Sequence, residues 1–141
     1  MSRSPSRSRH SFREHTGEVA MHVEADDLRS LFEEAACGLA DLLAEDAGGA
    51  PTGPEERVTL RSVDREALLV DRLNELVYRG EVHKRVYAEV HVERVDEHGL
   101  EATVRGREPS APRTSVKAAT WHGLRIGSRG AGVEASVVLD V

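Results

Sequence analysis

One cysteine, Cys37, stands in a chain of 141 residues. No internal disulfide can form, which suits a reducing compartment and makes the cytoplasm the expected place of action. No run of about 18 apolar residues occurs, so no membrane span is expected. The opening "MSRSPSRSRHS" lacks the apolar stretch of a secretory signal, and export is not expected either. There is no Walker A loop, no G-x-G-x-x-G and no G-x-S-x-G. The seven histidines form no H-x-x-x-H helical pair and no Cys/His cluster, so zinc is not indicated. No nucleophile or general base is evident beside the acidic residues, and a self-sufficient enzyme is not expected.

Lysine is scarce too. Lys84 and Lys117 are the only two, and the rest of the 19 basic residues are arginine. The charge is unevenly placed. Residues 1–11 carry Arg3, Arg7 and Arg9 without an acid, which leaves −9 on the remainder of a chain whose net charge is −6. A body so acidic binds phosphate poorly by itself, because nucleic-acid affinity depends on neutralising phosphates with Lys and Arg. Residues 1–11 read as a disordered Ser/Arg-rich arm. With 39% apolar residues, the stretch 12–141 has enough to bury one core, and a single domain is expected there.

The body alternates between two periods. In "EVAMHVEA", Val19, Met21, Val23 and Ala25 face one way and Glu18, His22 and Glu24 the other, the pattern of a half-buried strand. "DDLRSLFEEAACGLADLL" follows, with Asp26 or Asp27 as cap and Leu28, Leu31, Phe32, Ala35, Leu39, Leu42 and Leu43 at helical steps. Cys37 lies on this helix and reads as a buried, inert thiol. After the loop "DAGGAPTGPEE" come a short strand, "RVTLRS", and a second helix capped by Asp64, with Gly80 as its stop signal. Val86, Ala88, Val90 and Val92 alternate with Tyr87, Glu89, His91 and Glu93. After "DEHG", Leu100, Ala102 and Val104 alternate in turn, and an antiparallel hairpin is expected. "VKAATWHGLRI" reads as a further strand, "GSRGAG" as a turn and "VEASVVLDV" as the last strand, with Val133, Ala135, Val137 and Leu139 inward. No regular βαβ rhythm appears. The class is α+β, a mixed, largely antiparallel sheet with two main helices packed against it.

Two groups of residues invite a chemical reading. Glu18, Asp140 and the Val141 carboxylate are either unrelated surface acids or an oxygen-donor set for a hard divalent cation. Lys117 is either an exposed strand residue or a compact ammonium head kept for contact. Trp121 and His122 could form a stacking surface, although a lone Trp such as Trp121 reads first as core packing.

Four stretches taken together resemble the archease family. "EHTGEVAMHVEADDLRSLFEEAACGL" is similar to its H-T-A-D strand and following helix, and "EALLVDRLNELVY" to its second helix. "VKAATWHGL" resembles its V-K-A-x-T-[YW]-H-G-L strand, and "SVVLDV" its closing strand. The resemblance covers residues 12–141 and implies an archease-like fold. It also implies a non-enzymatic partner of the RtcB-type RNA ligase, which joins RNA ends through a guanylate held on a histidine, using GTP and divalent metal. Such a partner accelerates guanylylation and sustains turnover in tRNA splicing and RNA repair. It meets tRNA only through the ligase and binds no nucleotide itself. The alternative that the resemblance allows is a chaperone or modulator of a tRNA methyltransferase.

Carried over residue by residue, the resemblance makes Glu18, Asp140 and the carboxylate of Val141 metal ligands, and Lys117 the functionally required lysine. The chain reads H-T-G-E where the family has H-T-A-D. Glutamate adds a methylene, so Glu18 reaches further than the family aspartate, and Gly17 lets the backbone adjust. Calcium tolerates such an irregular oxygen shell better than magnesium, so Ca²⁺ is expected before Mg²⁺.

Overall fold

The computed structural model describes residues 8–121 and 123–141. Among the described residues, eight strands and two helices follow in the order β1 (Arg9–His15), β2 (Glu18–Ala25), α1 (Leu28–Leu43), β3 (Glu55–Arg61), α2 (Arg65–His83), β4 (Val86–Val95), β5 (Gly99–Arg107), β6 (Ala118–Thr120), β7 (Gly127–Arg129) and β8 (Gly132–Asp140). The class is α+β with two helices, as the periodicities require. The strands divide over two sheets, and every pairing is antiparallel. One sheet runs β1-β2-β8-β6, with β7 also on β8, and the other runs β3-β5-β4.

Both helices begin on the caps that the sequence offers. Asp27 accepts from Ser30 N at 2.8 Å, and Asp64 accepts from Ala67 N at 2.8 Å. From α1, Leu31, Phe32, Ala35, Ala36 and Leu39 are buried against Met21 and Val23 of β2 and Val137 and Leu139 of β8. Gly38 permits the close approach of the sheet. A Cβ there would lie 2.6 Å from Met21 Sδ and 3.0 Å from the His10 ring, so any side chain would force these two to shift.

The helices also dress sheet edges. Along β4, Glu33 accepts from Val92 N at 2.8 Å, Arg29 donates to Glu93 O at 3.0 Å and Cys37 Sγ donates to Ala88 O at 3.5 Å. On α2, Asn74 does the same for β6. Backbone groups that would otherwise stand open to a foreign strand thus have partners from within the fold.

Four expectations change. The arm does not extend to residue 11. Arg9, His10 and Ser11 belong to β1, because β2 offers partners as far as Glu24 and His10 is held by Glu34 at 2.6 Å and Asp41 at 3.0 Å. Residues 1–7 of the expected arm lie outside the described residues. Gly80 does not end α2, which runs on to His83 and closes on Lys84 in the left-handed region (φ 57°). The glycine is needed because the chain folds back over it, and a Cβ would lie 2.8 Å from Arg85 O.

Tyr87 does not face solvent with Glu89. A register shift between Val86 and Glu89 turns Val86 and Tyr87 both inward, and the Tyr87 hydroxyl donates to Glu56 at 2.9 Å. Cys37 is half-buried, not buried. Its thiol is nonetheless inert, because burial, with Glu34, Asp41 and Glu33 nearby, pushes it up to about 11.

Arg72 gives no sign of its place in the sequence. It is fully buried on the inner face of α2, bonded to Glu75, which also takes Arg79. Arg79 continues to Glu56 at 2.8 Å, beneath Tyr87. Among the described residues, Arg72 Nε and Nη2 meet no acceptor, and burial lowers the guanidinium to about 10. Among the described residues, no helix is long and apolar enough to cross a membrane.

Candidate functional site

The site is built by pairing the second strand with the last. Glu18 opens β2 and Asp140 closes β8, and the antiparallel register sets them directly opposite each other. Opposite residues in such a pair share a face and stand within side-chain reach. That face is the polar one, since Val19 and Leu139, the next pair along, are buried on the other. β6 flanks β8 on its far side, with Ala118 opposite Asp140 and Lys117 N donating to Asp140 O at 2.8 Å. Val141 N donates to Gly17 O at 3.1 Å, which fixes the last residue against the β1–β2 turn. That turn depends on Gly17, whose φ of 75° is a conformation that L side chains rarely adopt.

The structure therefore brings Glu18, Asp140, Val141 and Lys117 to one end of the five-stranded sheet. Glu18 and Lys117 are exposed, and Asp140 and Val141 are half-buried. Among the described residues, none of the four takes part in a side-chain ion pair within 4.0 Å, so no basic side chain pairs with the acids there. The donor set is all oxygen, from Glu18, Asp140 and the Val141 carboxylate. Such a set fits a hard cation and not a nitrogen- or sulfur-seeking one.

Trp121 does not pack in the core. β6 ends at Thr120, and the turn closed by Leu124 N on Trp121 O at 2.9 Å carries the indole to the surface, where it is 56% exposed. Its sequence neighbour His122, the other half of the stacking surface considered above, lies outside the described residues. Sequence reasoning missed a second polar group on the same sheet face, made by His22, Glu24 and Glu134. Its signal was available in "HVE". Residues two apart on a strand share a face.

Residues 10–141 match the Archease protein family (MTH1598/TM1083). The chain belongs to the archease family. A protein archease from Methanosarcina acetivorans is 31% identical over 141 residues, covering 94% of this chain and 96% of the relative. The solution structure of Methanobacterium thermoautotrophicum protein 1598 superimposes with a TM-score of 0.75 at 28% identity, over 94% of this chain and 98% of that one. A Thermotoga maritima crystal structure, described as an archease and possible chaperone, gives a TM-score of 0.64 over all of this chain and 98% of its own. At 22% identity that likeness supports the archease fold alone.

Proposed function

We propose that the protein is a non-enzymatic activator of an RtcB-type RNA ligase, raising its guanylylation and sustaining turnover in tRNA splicing and RNA repair in the cytoplasm. In this reading Glu18, Asp140 and the Val141 carboxylate hold a divalent cation, Ca²⁺ before Mg²⁺, and Lys117 meets the ligase. The cation would supply positive charge where two strands end in acids. Glu18 and Asp140 reach it from opposite strands, and Lys117 offers a compact ammonium to a phosphate or carboxylate of the partner. No nucleotide is bound by this chain, and tRNA is met through the ligase.

The observation that supports the reading most is the Glu18–Asp140 pairing, with Lys117 tied to Asp140 through its own backbone. Residues from the first hairpin, the closing strand and the segment before β6 need not have met at one place. The test uses the ligase of the same organism with GTP and metal. The protein should raise the GMP-labelled fraction of the ligase and permit multiple turnovers at substoichiometric amounts, while joining no RNA alone. A correctly folded protein that leaves guanylylation unchanged rejects the reading.

A second reading, a chaperone or modulator of a tRNA methyltransferase, draws on the description of the Thermotoga relative as a possible chaperone. It predicts that the protein raises the soluble or active yield of the methyltransferase and has no effect on ligase guanylylation.

A further inference from the structure

Six residues along β2 from Glu18, roughly 20 Å away at about 3.3 Å per residue, the same polar face carries a different donor set. His22 and Glu24 are two apart on β2, and Glu134 lies directly opposite Glu24 on β8. One ligand atom from each of the three lies within 4.8 Å of the others. His22 is oriented from behind, with Nδ1 at 2.9 Å from Ser136 Oγ and Nε2 at 3.7 Å from Glu24 Oε2. In the tautomer that donates from Nδ1 to the serine, the lone pair of Nε2 faces the carboxylates, the arrangement found behind metal-bound histidines.

Two carboxylates placed directly opposite repel each other. The fold answers with a cation. Arg129 Nε lies 2.6 Å from Glu24 Oε1 and Arg129 Nη1 lies 3.3 Å from Glu134 Oε2. Arg9 approaches Glu24 from β1, at 2.8 Å and 3.1 Å. The bond from Arg9 first, with the charge of Arg129 behind it, holds the Glu24 carboxyl below the usual carboxylate range. Arg129 reaches in from the short β7, its side chain 54% exposed on a flexible stem. The carboxylate pair is thus already a cation receptor, and the guanidinium in it makes no use of the imidazole that forms the third wall.

We propose that His22, Glu24 and Glu134 form a site for a divalent cation of the zinc class, which takes the position between the carboxylates now held by Arg129. His22 Nε2, one Glu24 oxygen and one Glu134 oxygen supply three ligands, and water completes a tetrahedron. Arg9 keeps its Nε bond to Glu24 Oε2, while its Nη2 contact with Oε1, the oxygen now shared with Arg129, gives way to the cation. A nitrogen donor among two carboxylates selects zinc over calcium and magnesium, so this site differs in kind from the all-oxygen end of the sheet and does not depend on it.

The test is calorimetric titration of the full chain with Zn²⁺ at neutral pH, with Ca²⁺ in parallel, and with thermal melts in a chelator to check that each variant is folded. The parent should bind one Zn²⁺ at this site, and the His22 imidazole nitrogen resonance should shift on binding. His22→Ala and Glu134→Gln should each weaken that event by at least about tenfold, since loss even of outer-shell partners commonly costs that much. Arg129→Gln should tighten it about two- to fivefold, the worth of an exposed ion pair removed from competition. Asp140→Asn should leave it unchanged, which separates this site from the one proposed for Ca²⁺. Zn²⁺ isotherms that are alike in the parent, His22→Ala and Glu134→Gln proteins overturn the proposal, as does an Arg129→Gln protein that binds Zn²⁺ no more tightly.

Discussion

Asn74 meets Ala119 as a neighbouring strand would. Its side-chain oxygen accepts from Ala119 N at 2.7 Å and its Nδ2 donates to Ala119 O at 3.1 Å. One amide from α2 thereby completes the outer edge of β6, the three-residue strand next to Lys117. Asn74→Ala should leave both backbone groups of Ala119 short of a partner, at a cost of about 1–3 kcal/mol. Denaturant titration measures the loss. Exchange of the Ala119 amide with solvent deuterium should quicken more than that of Leu139 in the centre of the same sheet.

The buried Arg72 and its partner should respond unequally to truncation. Arg72→Met removes two nitrogens, Nε and Nη2, that have no acceptor among the described residues, and leaves Glu75 bonded to Arg79. Stability should be unchanged or should rise, as when a buried charge gives way to an apolar side chain of similar volume. Glu75→Ala leaves the Arg72 guanidinium buried without its anion, and should cost about 3–5 kcal/mol. Chemical denaturation of the two variants checks both signs.

Asp46 links stability to acid. Its carboxylate accepts from Ser110 N at 2.8 Å, Ser110 Oγ at 2.9 Å and Ala111 N at 3.2 Å, and Arg107 lies at 3.2 Å. These bonds, the Ser110 backbone bond first, hold the carboxyl at about 2, against an ordinary value of 3.8. The folded value lies below the unfolded one. The stabilisation is therefore fully present above about pH 4 and is lost as pH falls from there toward about 2. Asp46→Asn should be less stable than the parent at neutral pH, and the difference should shrink on acidification through that window. Thermal melts across the pH series read it directly.

At the sheet end, Asp140→Asn removes one charge at nearly constant shape. A short Gly-Ser extension after Val141 converts its carboxylate to an amide carbonyl. Both proteins should fold normally, bind Ca²⁺ more weakly and stimulate guanylylation poorly, because affinity in such sites follows ligand charge. Calorimetry beside the guanylylation assay tests this, with an N-terminal tag of similar length as the harmless control.

Lys117→Ala should abolish stimulation while changing stability by less than about 1 kcal/mol, as an exposed substitution does. Lys117→Arg should rescue poorly, since a planar guanidinium has a different shape and hydration from an ammonium. Full stimulation by both variants would remove Lys117 from the proposed interface.

The elements legible in the sequence were those whose period is set by one buried face. β2, β8, both helix starts and the inward set Ala135, Val137 and Leu139 follow directly from alternation or helical spacing. Tyr87 was misread because a bulge breaks the two-residue period, and nothing in "RVYAEV" marks where it falls. Arg72 was invisible because its place in the core depends on Glu75, Arg79 and Glu56, from two elements. For the site, parity put Glu18 and Asp140 on polar faces. Their adjacency depended on the register of β2 with β8, which no local pattern encodes. The set of His22, Glu24 and Glu134 was missed for the same reason, although two of its members were already seen to share a face.

The pairing of Glu18 with Asp140 also fixes an order of events during synthesis. β3, β4, β5 and both helices are complete in the nascent chain well before β8 leaves the ribosome, and domains can begin to order as they emerge. The larger sheet cannot, because β8 lies between β2 and β6 and also carries β7. Until that strand arrives, β2 has only β1 beside it, and the apolar residues Val19, Met21 and Val23 lack their apolar partners Leu139, Val137 and Ala135 on β8. Any cation or partner that recognises the sheet end therefore meets it only after β8 has paired with β2. Binding at that end would report that the larger sheet is complete.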